Sequence, residues 1–306
     1  MTSTLLICLA QIAVFIVLGY CLRKSGNFSD QTQTDLTGIL LNILVPCCIL
    51  SSSRQQFDRT GGNSVLICIA AGFVFYLVWL LVCWALLRIL PIAPEKRGVA
   101  VTSCVFGNTG FLGYPLVVAL LGQDSMLFAS SFELWFNLFI FTVGVQLISG
   151  RKGDFSFKKL ITPCTVAVLI SILIYFSPFR LPDFVYDTMS MLSSMMVPVS
   201  MIIIGSGLVG MSFRSLFSDW RPYAVVVIRQ ILIPLTTVLV LKAIPGFPEH
   251  VIAVITILSA VPTGSYNVIL SRRYAGTEQV EFGNAILVLS LVTSFATMPL
   301  MIGILL

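Results

Sequence analysis

The spacing of its charges constrains this chain more than any other feature. Lys, Arg, Asp and Glu collect in short clusters, and between the clusters run apolar stretches of about twenty residues. Ten such stretches can be drawn, at 4–22, 34–53, 64–90, 98–121, 125–149, 160–177, 185–210, 221–243, 250–270 and 281–303. Roughly 20 mainly apolar residues are what a helix needs to cross a bilayer, so each stretch reads as a membrane span. Composition excludes a soluble domain: 57% of the residues are apolar and 10% charged, against about 25% charged in ordinary globular domains. Mean hydropathy is +1.00. The first span has no basic segment before it, and Tyr20 stands where a cleavage signal wants a small residue, so it reads as retained rather than removed.

Orientation follows from the basic residues. Loops on the side opposite the N-terminus hold thirteen: Arg23, Lys24, Arg88, Lys96, Arg97, Arg151, Lys152, Lys158, Lys159, Arg214, Arg221, Arg272 and Arg273. Loops on the N-terminal side hold four, Arg54, Arg59, Arg180 and Lys242, and Arg229 lies inside a span. The positive-inside rule then puts both termini outside and the odd-numbered loops in the cytoplasm. The net charge of +5 therefore concerns membrane topology and calls for no nucleic-acid partner.

The basic loop at 151–159 divides the chain into five-span halves, 1–150 and 160–306, and an odd number of spans per half makes their orientations opposite. Prolines recur at matching places: Pro46 and Pro198 lie 152 residues apart, Pro115 and Pro262 147 apart. Paired interruptions in two inverted halves are a sequence pointer to a transporter's binding site.

The fourth and ninth spans carry those interruptions, "GNTGFLGYP" and "SAVPTGSYN". Proline in a helix interior costs about 3 kcal/mol and glycine up to about 1 kcal/mol, and freed backbone groups in lipid find no water. The sequence predicts extended backbone over 108–114, with a half-helix restarting at Pro115, and a like break around Pro262, Thr263, Gly264 and Ser265. If the two breaks cross, two half-helix N-termini converge and their free amides form an anion site. Gly110, Gly113, Pro115, Pro262 and Gly264 belong to that crossover. Asn108, Thr109, Ser265, Tyr266 and Asn267 supply neutral donors and acceptors suited to a carboxylate, with helix-to-helix hydrogen bonding as the plainer role. Gly107, Gly110 and Gly113 also spell G-x-x-G-x-x-G, but no strand precedes them as a nucleotide loop requires.

Two ionisable residues sit inside spans, where each costs on the order of 2.5–3.5 kcal/mol on insertion scales. Arg229 can bind substrate, pair with Glu133 or tie down freed carbonyls. Glu133 can carry a coupled proton, or snorkel toward the outer surface. No span pairs two carboxylates, which argues against a sodium or multi-proton site. The eight cysteines (Cys8, Cys21, Cys47, Cys48, Cys68, Cys83, Cys104 and Cys164) fall in or beside apolar segments and read as small buried hydrophobes. With a single histidine, His250, expected in a solvated external loop, no metal site is visible and no cofactor is called for.

"GNTGFLGYPLV", together with "AVPTGSYNVILSRRYAG" at the matching place in the second half, resembles the auxin efflux carrier family, whose members include plant auxin exporters and malate or malonate permeases. The resemblance runs the length of the chain. It implies an all-α crossover fold shared with bile-acid symporters and sodium/proton antiporters. It also implies a dimerising scaffold (1–53 with 160–210) and a transport domain (64–149 with 221–303) that moves as an elevator. Asn108 and Asn267 are implied to help bind an organic carboxylate. Only about ten residues join the fifth and sixth spans, so the long regulated loop of plant exporters is missing and auxin as the natural substrate is unsupported.

The leading expectation is a carrier for a small organic anion in the plasma membrane, with the bilayer and a second copy of the chain as its partners. A potential of 100 mV contributes about 2.3 kcal/mol per charge to anion exit, so efflux needs no coupled ion. Proton-linked dicarboxylate uptake through Glu133 is the alternative. A ligand-binding sensor on the same fold is a different class; such proteins normally append a soluble signalling domain, and both ends of this sequence are expected to lie almost at the membrane. Enzymatic activity is not expected, since no Ser/His/Asp set, metal cluster or carboxylate pair is present.

Overall fold

The computed structural model describes residues 2–54, 64–150, 161–207, 209 and 219–305, and among them it is helical throughout, with no strand. The helices are α1 (Thr2–Lys24), α2 (Asp30–Ser52), α3 (Ser64–Ile89), α4 (Pro94–Val105), α5 (Thr109–Leu121), α6 (Gln123–Ser149), α7 (Pro163–Phe176), α8 (Asp183–Gly207), α9 (Arg221–Lys242), α10 (Glu249–Ala260), α11 (Tyr266–Tyr274) and α12 (Thr277–Leu305). Six of the described helices, α2, α3, α6, α8, α9 and α12, are long and apolar enough to cross a membrane, and α5, α7 and α10 are shorter apolar helices. The predicted span 98–121 is split between α4 and α5, and 250–270 between α10 and α11. The predicted linker 151–159 lies outside the described residues.

Prolines shape the helices through a repeated local device. Among the described residues four stretches widen to π-helical winding, and three of them, Leu40–Leu44, Thr109–Gly113 and Ile228–Leu232, end two residues before a proline, Pro46, Pro115 and Pro234; the fourth, Ile140–Gly144, precedes none. Proline gives no N–H to the turn below and its ring collides with the carbonyl there. Adding a residue to the turn moves that carbonyl aside and keeps the helix going. The π register also decides which carbonyl is orphaned. At Pro46 it is Leu41, five residues back, and the Cys164 thiol of α7 donates to that oxygen at 3.2 Å. The expectation of extended backbone over 108–114 is accordingly wrong. Only the residues around Phe106–Asn108 are extended, the π turn opens at Thr109, and Pro115 sits in the first turn of the α-helical part that starts at Tyr114.

The chain divides into two compact units. One comprises Met1–Cys68, Gly110–Ser131 and Ile161–Met211. In it α1 lies against the second half of α8 with almost no side chain between them. A Cβ on Gly19 would overlap the Ile202 carbonyl, and one on Gly205 would overlap the Ile16 carbonyl. That reciprocal pattern is an antiparallel small-residue contact of the kind that lets membrane helices approach without an apolar driving force. At one end of this unit Gln123 joins three hydroxyls: its Nε2 donates to Ser51 Oγ (2.5 Å) and Ser193 Oγ (2.8 Å), and Ser190 Oγ donates to its Oε1 (3.1 Å). Ser51 and Ser193 spend their own protons on Cys48 and Ser190 carbonyls, so every group is matched.

The other unit comprises Ile69–Thr109, Phe132–Leu160 and Ser212–Leu306. Here α3 and α6 are bound by rings, with Tyr76 near Phe132, Phe136 and Phe139, and by Trp135 Nε1 donating to the Ile69 carbonyl at 2.8 Å. Gly72 lets α3 approach the Phe132 carbonyl, and Gly98 lets α4 approach that of Leu147. Buried Gln230 of α9 donates to the Ser290 carbonyl and accepts from Thr293 and Thr297 on α12.

The reading of the cysteines as uniformly buried needs correction. Cys48, Cys68, Cys83 and Cys104 are buried, but Cys47 and Cys164 are half-buried and Cys21 is exposed on α1. Cys8 has no described side chain. In a chain bathed in lipid, exposure of a small apolar side chain carries no penalty, so the soluble-protein rule that free cysteine goes inside does not transfer.

Candidate functional site

The second unit contains a crossing of two interrupted helices. After Val105, Phe106 turns extended (φ −96°, ψ 100°), as does Val261 after Ala260 (φ −65°, ψ 151°). The two extended stretches run antiparallel past each other, paired at Gly107 and Thr263. Asn108 N–H donates to the Pro262 carbonyl (2.8 Å) and Gly264 N–H to the Phe106 carbonyl (3.0 Å). Two amides expected to face an anion are therefore spent on holding the breaks together. Glycine is required where the extended stretches touch: a Cβ on Gly264 would stand 2.7 Å from the Gly107 oxygen. Gly110 has room, with Leu41 Cδ2 3.9 Å from a built Cβ, so packing does not demand it.

Side chains complete the joint. Thr263 Oγ1 donates to the Ser103 carbonyl (2.9 Å), and Ser290 Oγ on α12 accepts from Thr263 N–H (3.2 Å). Asn267, fully buried, donates through Nδ2 to the Phe106 and Gly264 carbonyls, both at 3.0 Å. Its Oδ1 is left without a donor among the described residues. Phe106 stacks on Tyr76 (5.7 Å between centroids, 15° between planes), which anchors the first extended residue against α3.

Arg229 settles what happens to the last carbonyls of the two interrupted helices. It is 1% exposed, and its guanidinium donates to Val261 (2.9 Å), Cys104 (3.3 Å), Val105 (3.3 Å) and Leu258 (3.4 Å). All four acceptors are backbone oxygens at the C-terminal ends of α4 and α10, where carbonyls lack intrahelical donors and the helix dipole presents about half a negative charge. One cation thus serves two helix ends. Of the three roles open to Arg229, tying down freed carbonyls is the one it adopts, and among the described residues it makes no ion pair with Glu133. Its position also explains Gly107, where a Cβ would overlap the guanidinium.

Glu133 does not snorkel. It is 5% exposed, at a turn within α6, and accepts two hydrogen bonds: from Tyr76 Oη to Oε1 (2.6 Å) and from Thr109 Oγ1 to Oε2 (2.9 Å). Thr109 opens the π turn, so the carboxyl is tied directly to the helix break. Of the residues predicted to meet substrate, Thr109 and Asn267 are buried and engaged within the joint. Asn108 and Ser265 are half-exposed, with no side-chain hydrogen bond among the described residues, and Tyr266 is exposed beside the edges of Phe136 and Phe141. Among the described residues no three His, Cys, Asp or Glu side chains gather as a metal site would require.

Sequence reasoning missed Tyr76, Phe106, Thr263 as a donor, Gln230 and Ser290. Tyr76 had a usable signal, a hydroxyl within "FVFYLVWL" that a buried environment must satisfy, although its partner is set by the packing of α3 on α6.

Residues 4–158 and 152–302 match the sequence signature of the family described as membrane transport protein. The chain belongs to that family. As a member it is a multi-pass membrane transporter, and the resemblance to auxin efflux carriers agrees with this assignment. It is similar to an uncharacterized transporter of Methanocaldococcus jannaschii, 24% identical over 280 residues covering 86% of this chain and 87% of that one. An uncharacterized transporter of Methanothermobacter thermautotrophicus is 27% identical over 202 residues, covering 63% of this chain and 65% of its relative.

Proposed function

We propose that this transporter carries a small organic anion, a carboxylate, with the crossing of the two broken helices as its binding site. The observation that carries the reading is the antiparallel joint at Gly107 and Thr263, beside which in the chain Asn108 and Ser265 are half-exposed and Tyr266 is exposed. The first-turn amides of Asn267 and Val268 in α11 already donate to the Gly264 and Ser265 carbonyls, so the donors for a negatively charged group are the side chains of Asn108, Ser265 and Tyr266. Neutral donors hold a carboxylate without the strong attraction of a fixed cation, which suits a ligand that must leave again. In this reading the chain has ten spans in two inverted halves, both termini outside the plasma membrane, a dimer formed through scaffold helices, and a transport domain that moves as an elevator.

A second reading, proton-linked dicarboxylate uptake, is favoured by Glu133. A buried carboxyl hydrogen-bonded to the first residue of the π turn is placed to link protonation with the shape of the break. Counterflow of labelled malate, malonate and indole-acetate in proteoliposomes, with and without a pH gradient, separates the two. Saturable exchange indifferent to the gradient supports the uniporter; exchange driven by the gradient and made indifferent to it by Glu133→Gln supports proton coupling. Asn108→Ala should abolish saturable exchange while the protein still purifies as a folded species. Unchanged affinity in that variant would exclude the crossing as the binding site.

A further inference from the structure

A cleft of about 500 Å³ opens in the second unit where α3 ends, α4 begins and α6 ends. Its polar lining includes Arg88, Arg97 and Gln146, its apolar lining includes Trp84 and Leu147, and among the described residues no acidic one lines it. Neither arginine has a carboxylate partner among the described residues. The nearby Glu278 is engaged by Lys96 at 3.1 Å, so it does not neutralise them. Both guanidinium groups are held in place. Arg88 lies over the Trp84 ring, 3.5 Å from its centroid, and Arg97 donates through Nε to the Ile92 carbonyl at 3.0 Å, which leaves its terminal nitrogens for another acceptor.

The surface leading to this cleft is apolar. Val74, Leu77, Val78, Leu81 and Trp84 are exposed at helical spacing along α3 and point the way to Arg88 one turn on. An exposed apolar stripe that ends in Arg88 on a membrane-length helix, beside Arg97 of α4, has the polarity of a lipid: chain along the stripe, headgroup at the charges. We propose that the cleft is a binding site for an anionic phospholipid, with Arg88 and Arg97 holding the phosphate and Trp84 packed at the glycerol level. A free phosphate ion would use the same guanidinium groups but none of the stripe, so continuity between the two decides for the lipid.

The test uses the full chain, purified in detergent and stripped of lipid, with native mass spectrometry reading the adducts formed with dioleoyl phosphatidylglycerol or dioleoyl phosphatidylcholine at equal concentration. The phosphatidylglycerol adduct should predominate. Arg88→Gln and Arg97→Gln should each reduce that preference by about fivefold, equivalent to about 1 kcal/mol per arginine. Arg180→Gln, outside the cleft, should leave it unchanged. Arg88 is exposed, so its variant tests the site even if loss of the Arg97 bond impairs folding. The proposal is overturned if either variant, eluting as a folded species, keeps the wild-type preference, or if glycerol phosphate displaces the lipid at equal concentration.

Discussion

Replacing Arg229 with methionine removes the cation from between two helix ends while nearly keeping the side chain's length. The guanidinium makes one hydrogen bond of ordinary length, to Val261, and three long ones at 3.3–3.4 Å. Hydrogen bonds involving a charged group contribute about 1.5–3 kcal/mol, so counting the long ones at half strength gives a gross loss of about 4–8 kcal/mol. Removing a buried charge returns part of its desolvation penalty, but the carbonyls of Cys104, Val105, Leu258 and Val261 stay buried and lose their donor. The net falls at about 3–5 kcal/mol, the range for removing one partner from a buried ionic contact. At about 2 °C per kcal/mol for a chain of this size, thermal unfolding in detergent, followed by circular dichroism, should move down by about 6–10 °C. Arg229→Lys should recover less than half of that, because one ammonium cannot reach carbonyls on both α4 and α10. A double-mutant cycle adds a stricter requirement: Gly107→Ala, which collides with the guanidinium in the wild type, should destabilise the methionine variant less than it does the parent. The reasoning is refuted if the methionine variant unfolds within about 1 °C of wild type, or if lysine restores stability fully.

Tyr76→Phe deletes a hydrogen bond to a buried carboxyl and should destabilise by about 1–3 kcal/mol in the same assay, with a smaller effect in a Glu133→Gln background; equal effects in both would separate Tyr76 from Glu133. Gln123→Leu leaves the Ser51, Ser190 and Ser193 hydroxyls short of a shared partner and should lower stability by about 1–2 kcal/mol. Ser190→Ala should be milder, because it removes a donor to Oε1 and leaves both Nε2 contacts standing; the reverse order would refute the network.

The two helix breaks are legible in the sequence because Gly107, Gly264 and Pro262 violate helix requirements inside otherwise apolar runs, and lipid gives such violations no cheap outlet. How each break is resolved is not legible. Proline at 115 predicts an interruption, yet a π turn absorbs most of it, and whether a helix breaks or widens depends on what stands ready to receive the orphaned carbonyl. Cys164 takes that part for Leu41, and nothing local to either residue announces it. Asn108 and Asn267 look alike on paper because both flank a break, but the chain's path buries one and leaves the other half-exposed. Arg229 shows the same limit: its cost in lipid marks it as purposeful, while its choice among three roles is made by α10, 29–32 residues downstream, and by α4, more than a hundred residues upstream.

That last separation has a consequence for biogenesis. Val105 and Arg229 lie 124 residues apart, so at roughly 5–20 residues per second the carbonyls ending α4 exist for about 6–25 s before the residue that serves them is made. During that interval α4 must wait unfinished, its end turned toward water, a neighbouring chain or the insertion machinery. A stall in translation between α5 and α9 would lengthen the exposure, and the first half of the chain released alone would leave the carbonyls of Cys104 and Val105 without the donor that Arg229 supplies.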